Sequence, residues 1–321
     1  MLVGGTSSTE SRASRRIACA AAASLVVLGV SLAGCTHDSD AKRVRLTETP
    51  SEPSPAGGGE SGDALRFGVA SVLSPPASLH HYRELIEYLG QRLGVATEMV
   101  QRPNYAEMNE LLRQRYCMVG FFCNYAFLRA QREFGAELLA TPVVNGDTRY
   151  RAYIIAARDN PARSILDLAG KRFAFADPMC NAGWLFPNYR VLQAGRDPRA
   201  FFGHEIFTYS YEDSIRAVAE GAVDAAAVES PLYDALVTAE HPNGLRTRIV
   251  ERSPLLGTPP VVVHPRLDPA LKRRLLDLLL TLDEDDRGRE ILSRIGVDRF
   301  VEADPALYSV VSEMANALEG R

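Results

Sequence analysis

The amino-acid sequence predicts an α/β protein of two lobes, each a mostly parallel sheet flanked by helices, joined by two crossovers. Three observations carry this. From Leu65 onward, short apolar runs alternate with amphipathic segments. The alternation comes in two series, before and after about residue 148. Past the run Pro259–Val263 the pattern is helical with few new strands, so the chain end returns onto the first series. The expected lobes are 65–147 plus 258–321, and 150–253.

Ahead of the first strand lies a segment outside the fold. Arg12, Arg15 and Arg16 precede an apolar run from Ile17 to Ala33, 17 residues and short for a membrane span. The run ends in Leu32-Ala-Gly-Cys35, the order of a bacterial lipobox. Residues 1–34 therefore read as a signal peptide, with cleavage before Cys35 and a lipid on its sulfur. Residues 35–63, rich in Ser, Pro, Gly, Asp and Glu, read as a flexible tether. The expected product is an exported monomer on the periplasmic side, held to the cell membrane or outer membrane by its lipid alone. The signal's three Arg and one Glu contribute +2 to the whole-chain charge of −4, leaving −6 for the rest. So small an acidic excess gives no reason to expect nucleic acid as a partner.

Leu65–Ala70 is the first strand, followed by a loop from Ser71 to Pro76. A helix from Ser78 puts Leu79, Tyr82, Leu85, Ile86, Leu89 and Leu93 on one face. Thr97–Gln101 is a strand and Tyr105–Arg113 a helix. Cys117–Cys123 is an unbroken apolar strand, buried on both faces. A helix from Tyr125 and a strand near Leu138 close the first series. The second has strands at Tyr150–Ala157, Phe173–Ala176, Glu205–Thr208, Val223–Val228 and Leu245–Glu251. Helices fall at Ser164–Gly170, after Asn181, at Glu212–Glu220 and from Pro231. Pro259–Val263 is a return strand; helices at Leu267–Leu282, Asp286–Ile295 and from Asp304 end the chain.

The centre of this layout is Phe173-Ala-Phe-Ala-Asp-Pro-Met-Cys-Asn-Ala-Gly-Trp-Leu-Phe-Pro187. Asp177-Pro178 breaks the strand, and Asn181 is a good N-cap for the helix that follows. The N–H groups of Ala182, Gly183 and Trp184 then leave a helix start unpaired, where the helix dipole is positive. That combination suits a small oxyanion. Ligands of such sheets sit at the carboxyl ends of strands and between lobes.

The segments Tyr82-Arg-Glu-Leu-Ile-Glu-Tyr-Leu-Gly90, Val119-Gly-Phe-Phe-Cys123, Leu166-Asp-Leu-Ala-Gly-Lys-Arg-Phe-Ala174, Thr208-Tyr-Ser210 and Ala217-Val-Ala-Glu-Gly-Ala-Val-Asp-Ala-Ala-Ala-Val228 together resemble the PhnD-like phosphate/phosphite/phosphonate-binding proteins. These are the substrate-binding components of ABC transporters. The resemblance covers about residues 65–303. It implies a two-lobed type II periplasmic binding protein that closes by hinge bending, with a transporter permease as partner and no cofactor or metal. In phosphonate binders a Ser-Thr-Ser-Gly type loop holds the ligand oxygens. Here the sequence is Cys180-Asn-Ala-Gly183, so glycine is kept and the hydroxyls are gone. The family's Ser-His after the next strand is Ser210-Tyr211, and the carboxylate of amine-bearing phosphonate binders is matched by Glu229.

Candidate ligand residues are therefore Cys123, Cys180, Asn181, Ala182, Gly183, Trp184, Tyr209, Ser210, Tyr211 and Glu229, with Tyr105 and Ser71 from the first lobe. Cys117 reads as core. Cys123 and Cys180 end strands on the cleft side, and sulfur prefers soft partners. Cys123 also stands where the arsenite-binding, AioX-like relatives that feed a sensor histidine kinase carry a cysteine. The expected function is capture of a small oxyanion for an ABC transporter. The alternatives are an arsenite-binding sensor protein presenting itself to a histidine kinase, and a Cys-dependent enzyme using Cys180. For the enzyme, no neighbouring His motif supplies a base and no catalytic signature is found. A Cys123–Cys180 disulfide would lock the lobes together.

Overall fold

The computed structural model describes residues 64–70 and 75–320, with backbone alone at 75–78. The signal, the tether, Cys35 and Ser71 lie outside the described residues.

In chain order the strands are β1 Leu65–Ala70, β2 Thr97–Arg102, β3 Val119–Phe121, β4 Glu137–Val143, β5 Arg149–Tyr150, β6 Ala152–Ala157 and β7 Arg172–Phe175. They continue as β8 His204–Phe207, β9 Ala225–Glu229, β10 Thr247–Arg252, β11 Leu256–Gly257, β12 Val261–Val263 and β13 Arg299–Glu302. The helices are α1 Pro75–Leu93, α2 Tyr105–Arg113, α3 Asn124–Phe134, α4 Phe186–Gln193 and α5 Tyr211–Ala219. After them come α6 Ser230–Thr238, α7 Pro242–Leu245, α8 Pro269–Leu280, α9 Asp286–Arg294 and α10 Ser309–Glu319.

Two helix-flanked sheets result, ordered β13-β4-β12-β3-β1-β2 and β10-β6-β9-β7-β8. Each is parallel on one side only. β1 pairs in parallel with β2 and β3, while β12 and β13 return antiparallel. β7 pairs in parallel with β8 and β9, while β6 and β10 are antiparallel. Most strands of each sheet nevertheless share one direction, β1 to β4 in the first and β7 to β10 in the second, while β6, β12 and β13 run against them. At the crossovers themselves β5 and β11 pair as a separate ribbon.

Helix starts and stops follow side-chain chemistry. Asn104 caps α2 by accepting from the Glu107 N–H at 2.8 Å, and Ser210 caps α5 through the Asp213 N–H at 3.2 Å. In the second sheet, Phe173 and Phe175 are fully buried, and Phe173 stacks on Phe202 with centroids 4.2 Å apart. This slab fixes β7, and hence the loop that leaves its carboxyl end.

Three local differences from the sequence reading have physical causes. The Cys117–Cys123 strand is only three residues long. The Phe122 ring folds back over Gly120, where a Cβ would lie 1.9 Å from it, and Cys123 becomes the N-cap of α3. After β7, Cys180 rather than Asn181 is the N-cap, and Asn181–Leu185 is a turn of π-helix. Pro187 has no N–H to give the Gly183 carbonyl, which accepts instead from the Ala176 N–H at 3.2 Å. Finally, β13 is a short edge strand, and α10 does not pack on the first lobe alone. It lies against both α3 and α4, with Val311, Met314 and Ala315 buried.

Candidate functional site

The carboxyl ends of β3, β7 and β9 converge where the two sheets' helices meet. There, two helix starts face each other through their capping cysteines. Cys123 Sγ lies 3.7 Å from Cys180 Sγ, and both are free, buried thiols. The Asn181 N–H donates to Cys123 Sγ at 2.9 Å, and the Gly183 N–H to Cys180 Sγ at 3.4 Å. Tyr211 Oη is 2.8 Å from Cys180 Sγ. Burial pushes the Cys180 thiol well up, and the Cys123 sulfur beside it adds to the effect.

Further contacts cross the cleft. The Tyr105 N–H donates to Asp177 Oδ2 at 3.0 Å. The Trp184 ring stacks on Tyr125 of α3, with centroids 6.0 Å apart and planes 7° from parallel. Asn181 Nδ2 donates to Tyr150 Oη at 3.1 Å, and Asn124 Nδ2 to the Gly257 carbonyl at 2.6 Å. The Oδ1 atoms of Asn124 and Asn181 are buried with no partner among the described residues.

A cavity of about 60 Å³ opens beside the thiols. Tyr82, Tyr105, Cys123, Tyr211 and Glu229 give it polar groups, and Val261, Ile295, Val297 and Phe300 contribute an apolar wall. Burial pushes the Glu229 carboxyl up to about 7. Burial likewise raises the Tyr82, Tyr105 and Tyr211 hydroxyls. These phenols stay protonated at neutral pH and can each donate one hydrogen bond.

The structure thus brings Cys123, Tyr105, Tyr211 and Glu229 to the cavity, with Cys180 and Asn181 bonded directly behind. It does not leave three free donors at the helix start. The Gly183 N–H is taken by sulfur, and the Trp184 N–H by the Cys180 carbonyl at 3.1 Å. Ala182 is fully buried. Tyr209 sits in a left-handed conformation with its ring 39% exposed, turned toward Phe207 and away from the cavity. The Ser210 hydroxyl caps α5. Tyr82, Tyr150 and Asp177 were missed. Tyr82 reads as one more member of α1's apolar face, and only its register opposite Phe121, at 5.0 Å, puts it on the cavity. No group of three or more His, Cys, Asp and Glu among the described residues is placed to hold a metal ion.

Comparison with known proteins gives this geometry a family. The model of the family described as "ABC transporter, phosphonate, periplasmic substrate-binding protein" matches residues 67–308. The chain is similar to the phosphonates-binding periplasmic protein of Escherichia coli K12, 25% identical over 248 residues, or 76% of this chain and 73% of that one. It is similar to the phosphate-import protein PhnD of Mycolicibacterium smegmatis, 28% identical over 156 residues, covering 45% of this chain and 48% of that one. Among solved structures, PhnD1 of Prochlorococcus marinus in complex with methylphosphonate superposes with a TM-score of 0.73. That match has 18% identity and covers 80% of this chain and 98% of that one. With the family model spanning most of the two-sheet body, the chain belongs to the periplasmic substrate-binding proteins of phosphonate ABC transporters.

Proposed function

We propose that this chain is the exported, lipid-anchored binding subunit of an ABC transporter, and that it captures a small tetrahedral oxyanion of the phosphonate, phosphite or phosphate class. The observation that carries the reading is the cavity, where phenol donors and Glu229 stand beside an apolar wall. Such a mixed lining suits a phosphonate with a short apolar substituent better than a fully hydrated inorganic ion. Relatives named for phosphonate, phosphate and methylphosphonate support the ligand class. We take the lobes as 65–147 plus 258–321 and 150–253, with the β5–β11 ribbon as the hinge. With Tyr105 and Cys123 already sharing one cavity with Tyr211 and Glu229, we read this arrangement as the closed one, and hinge opening would admit the ligand.

A thermal-shift panel of phosphate, phosphite, methylphosphonate, aminoethylphosphonate, arsenate and arsenite tests this. A true ligand at one hundred times its dissociation constant stabilises by about 2.7 kcal/mol. Methylphosphonate or phosphite is expected to give the largest shift, and a flat response across the panel would sink the proposal. One observation favours a second reading, an arsenite sensor that presents its closed form to a histidine kinase: two free thiols 3.7 Å apart at the cleft. In that case Cys123→Ser loses the arsenite shift and keeps any phosphonate shift, with a phosphine as reductant because dithiols bind arsenite themselves. A wild type indifferent to arsenite removes this reading. The Cys-dependent enzyme gains no support from a thiol held protonated by burial.

Lipid anchoring rests on Leu32-Ala-Gly-Cys35. Cys35→Ala is expected to leave the protein unlabelled by palmitate and in the soluble fraction. Normal labelling and membrane partitioning of that variant would refute the anchor.

A further inference from the structure

Among the described residues, the titratable groups that face the Glu229 carboxyl are themselves acids. Tyr82 approaches from α1, Tyr105 from the start of α2, Tyr150 from β5 and Tyr211 from α5. The thiols of Cys123 and Cys180 stand beyond these phenols, and Asp177 behind Tyr105 adds a second carboxyl. No Lys, Arg or His lines the cavity among the described residues. Positions 71–74, which follow Ala70 in the sequence, read Ser-Val-Leu-Ser, with no basic residue. Glu229 lines the cavity, and its carboxyl has no hydrogen bond or ion pair among the described residues.

An anion entering so small a space meets a carboxyl and no positive side chain. Two like charges in one buried site cannot both stay ionised cheaply, so a proton must be taken up unless the ligand brings its own cation. A cavity of about 60 Å³ holds about two waters at their share of liquid volume. A tetrahedral head group takes up most of that space, so an ammonium arm would have to lie beyond it.

Building on the oxyanion reading, we propose that capture is coupled to a proton. The site takes its oxyanion together with one H⁺ from solvent, held on the Glu229 carboxyl, which then donates a hydrogen bond to a ligand oxygen. Glu229 is thereby a specificity-determining residue: neutral, it accepts an anion; ionised, it rejects one. Burial already places the carboxyl at the edge of this switch, at about 7. The sign follows. Above that value the free protein carries an ionised Glu229, and binding must reprotonate it. Affinity then falls by up to tenfold per pH unit. Below it the carboxyl is neutral beforehand and binding takes up no proton there.

The test is titration calorimetry with methylphosphonate and with phosphite, in pairs of buffers of different ionisation enthalpy, at pH 5.5 and pH 8. Wild type is compared with Glu229→Gln, whose amide donates without titrating. The ligand's own titration is common to both proteins, so their difference isolates the carboxyl. At pH 8 the wild type is expected to take up about one proton more than Glu229→Gln; at pH 5.5 the two are expected to agree. The variant is also expected to bind more tightly than wild type at pH 8. Equal proton numbers at both pH values overturn the proposal. Loss of binding in a folded Glu229→Gln, with aminoethylphosphonate the tightest wild-type ligand, also overturns it, because the carboxylate is then an ammonium partner. Should Glu229→Gln fail to fold, proton uptake by the wild type in excess of the ligand's own titration still decides. If no probe binds either protein at either pH, the oxyanion reading itself fails, and this inference with it.

Discussion

Gly183→Val is expected to destabilise the protein by about 3 kcal/mol and to abolish ligand capture. A Cβ at Gly183 would lie 2.5 Å from Ala176 Cβ and 3.1 Å from the Ala176 backbone N. Neither atom can swing aside, because Ala176 continues β7 and is held between its neighbours with no exposure. The contact is also a bonded one, since the Ala176 N–H donates to the Gly183 carbonyl at 3.2 Å. Pushing the turn off the strand end would drag the Gly183 N–H away from Cys180 Sγ and spoil the thiol pair. Gly195→Ala is the contrasting case. Gly195 ends the same helical segment at φ +71° with open space around it, so its alanine costs only about 1 kcal/mol and leaves binding intact. Denaturant melts of both variants, with methylphosphonate titrations, check the pair. A Gly183→Val protein that melts and binds like wild type would show that the turn does not need its close approach to β7.

Much of what surrounds this turn is legible in the sequence. Phe173–Ala176 is apolar and bounded by Lys171-Arg172 and Asp177-Pro178, which is enough to mark a buried strand and its end. α2 and α5 were legible from their amphipathic spacing, and the structure adds their caps, Asn104 and Ser210. The π-helical turn was not legible, because it arises from a missing donor at Pro187 meeting a strand that supplies the replacement. That pairing is tertiary. β13 escaped for a different reason: it is four residues long, and an isolated edge strand of that length has too short a period to read. Within the site, strand-end positions point to Cys123 and Glu229, which line the cavity, while Cys180 lies behind Cys123. Tyr209 was misplaced because its left-handed backbone reverses the ring's direction, which no side-chain pattern encodes. Phe300 and Ile295 reach the cavity only because the chain end returns beside β4, and Tyr82 only because α1 lies over Phe121.

Asp177→Ala is expected to weaken ligand binding roughly ten- to hundred-fold while leaving the fold in place. Asp177 is fully buried and belongs to the loop after β7, yet one of its oxygens accepts the Tyr105 N–H of α2 in the other lobe at 3.0 Å. Its second oxygen accepts the Met179 N–H at 2.6 Å within its own loop. Tyr105 is the first residue of α2, so its N–H is one of the donors a helix start leaves unpaired, and the carboxylate also meets the positive end of that helix. A hydrogen bond to a charged group contributes about 1.5–3 kcal/mol. Because this one joins the two lobes, it stabilises the lobes in contact and contributes nothing once they part and water replaces it. On the proposed closure of the lobes around a ligand, its removal would shift the closing equilibrium and lower affinity by that factor. The loss of the Met179 contact is local to a turn of the loop and is expected to leave the ligand-free melting temperature nearly unchanged. Asp177→Asn keeps an acceptor oxygen for Tyr105 without the charge, and an intermediate loss is expected. Titrations of the three proteins with methylphosphonate, alongside their ligand-free melting curves, separate closure from folding. Equal affinities with a lowered melting temperature would make Asp177 a loop-building residue alone. Unchanged melting with weakened binding would place it in the closing contact, where its reach across the cleft puts it.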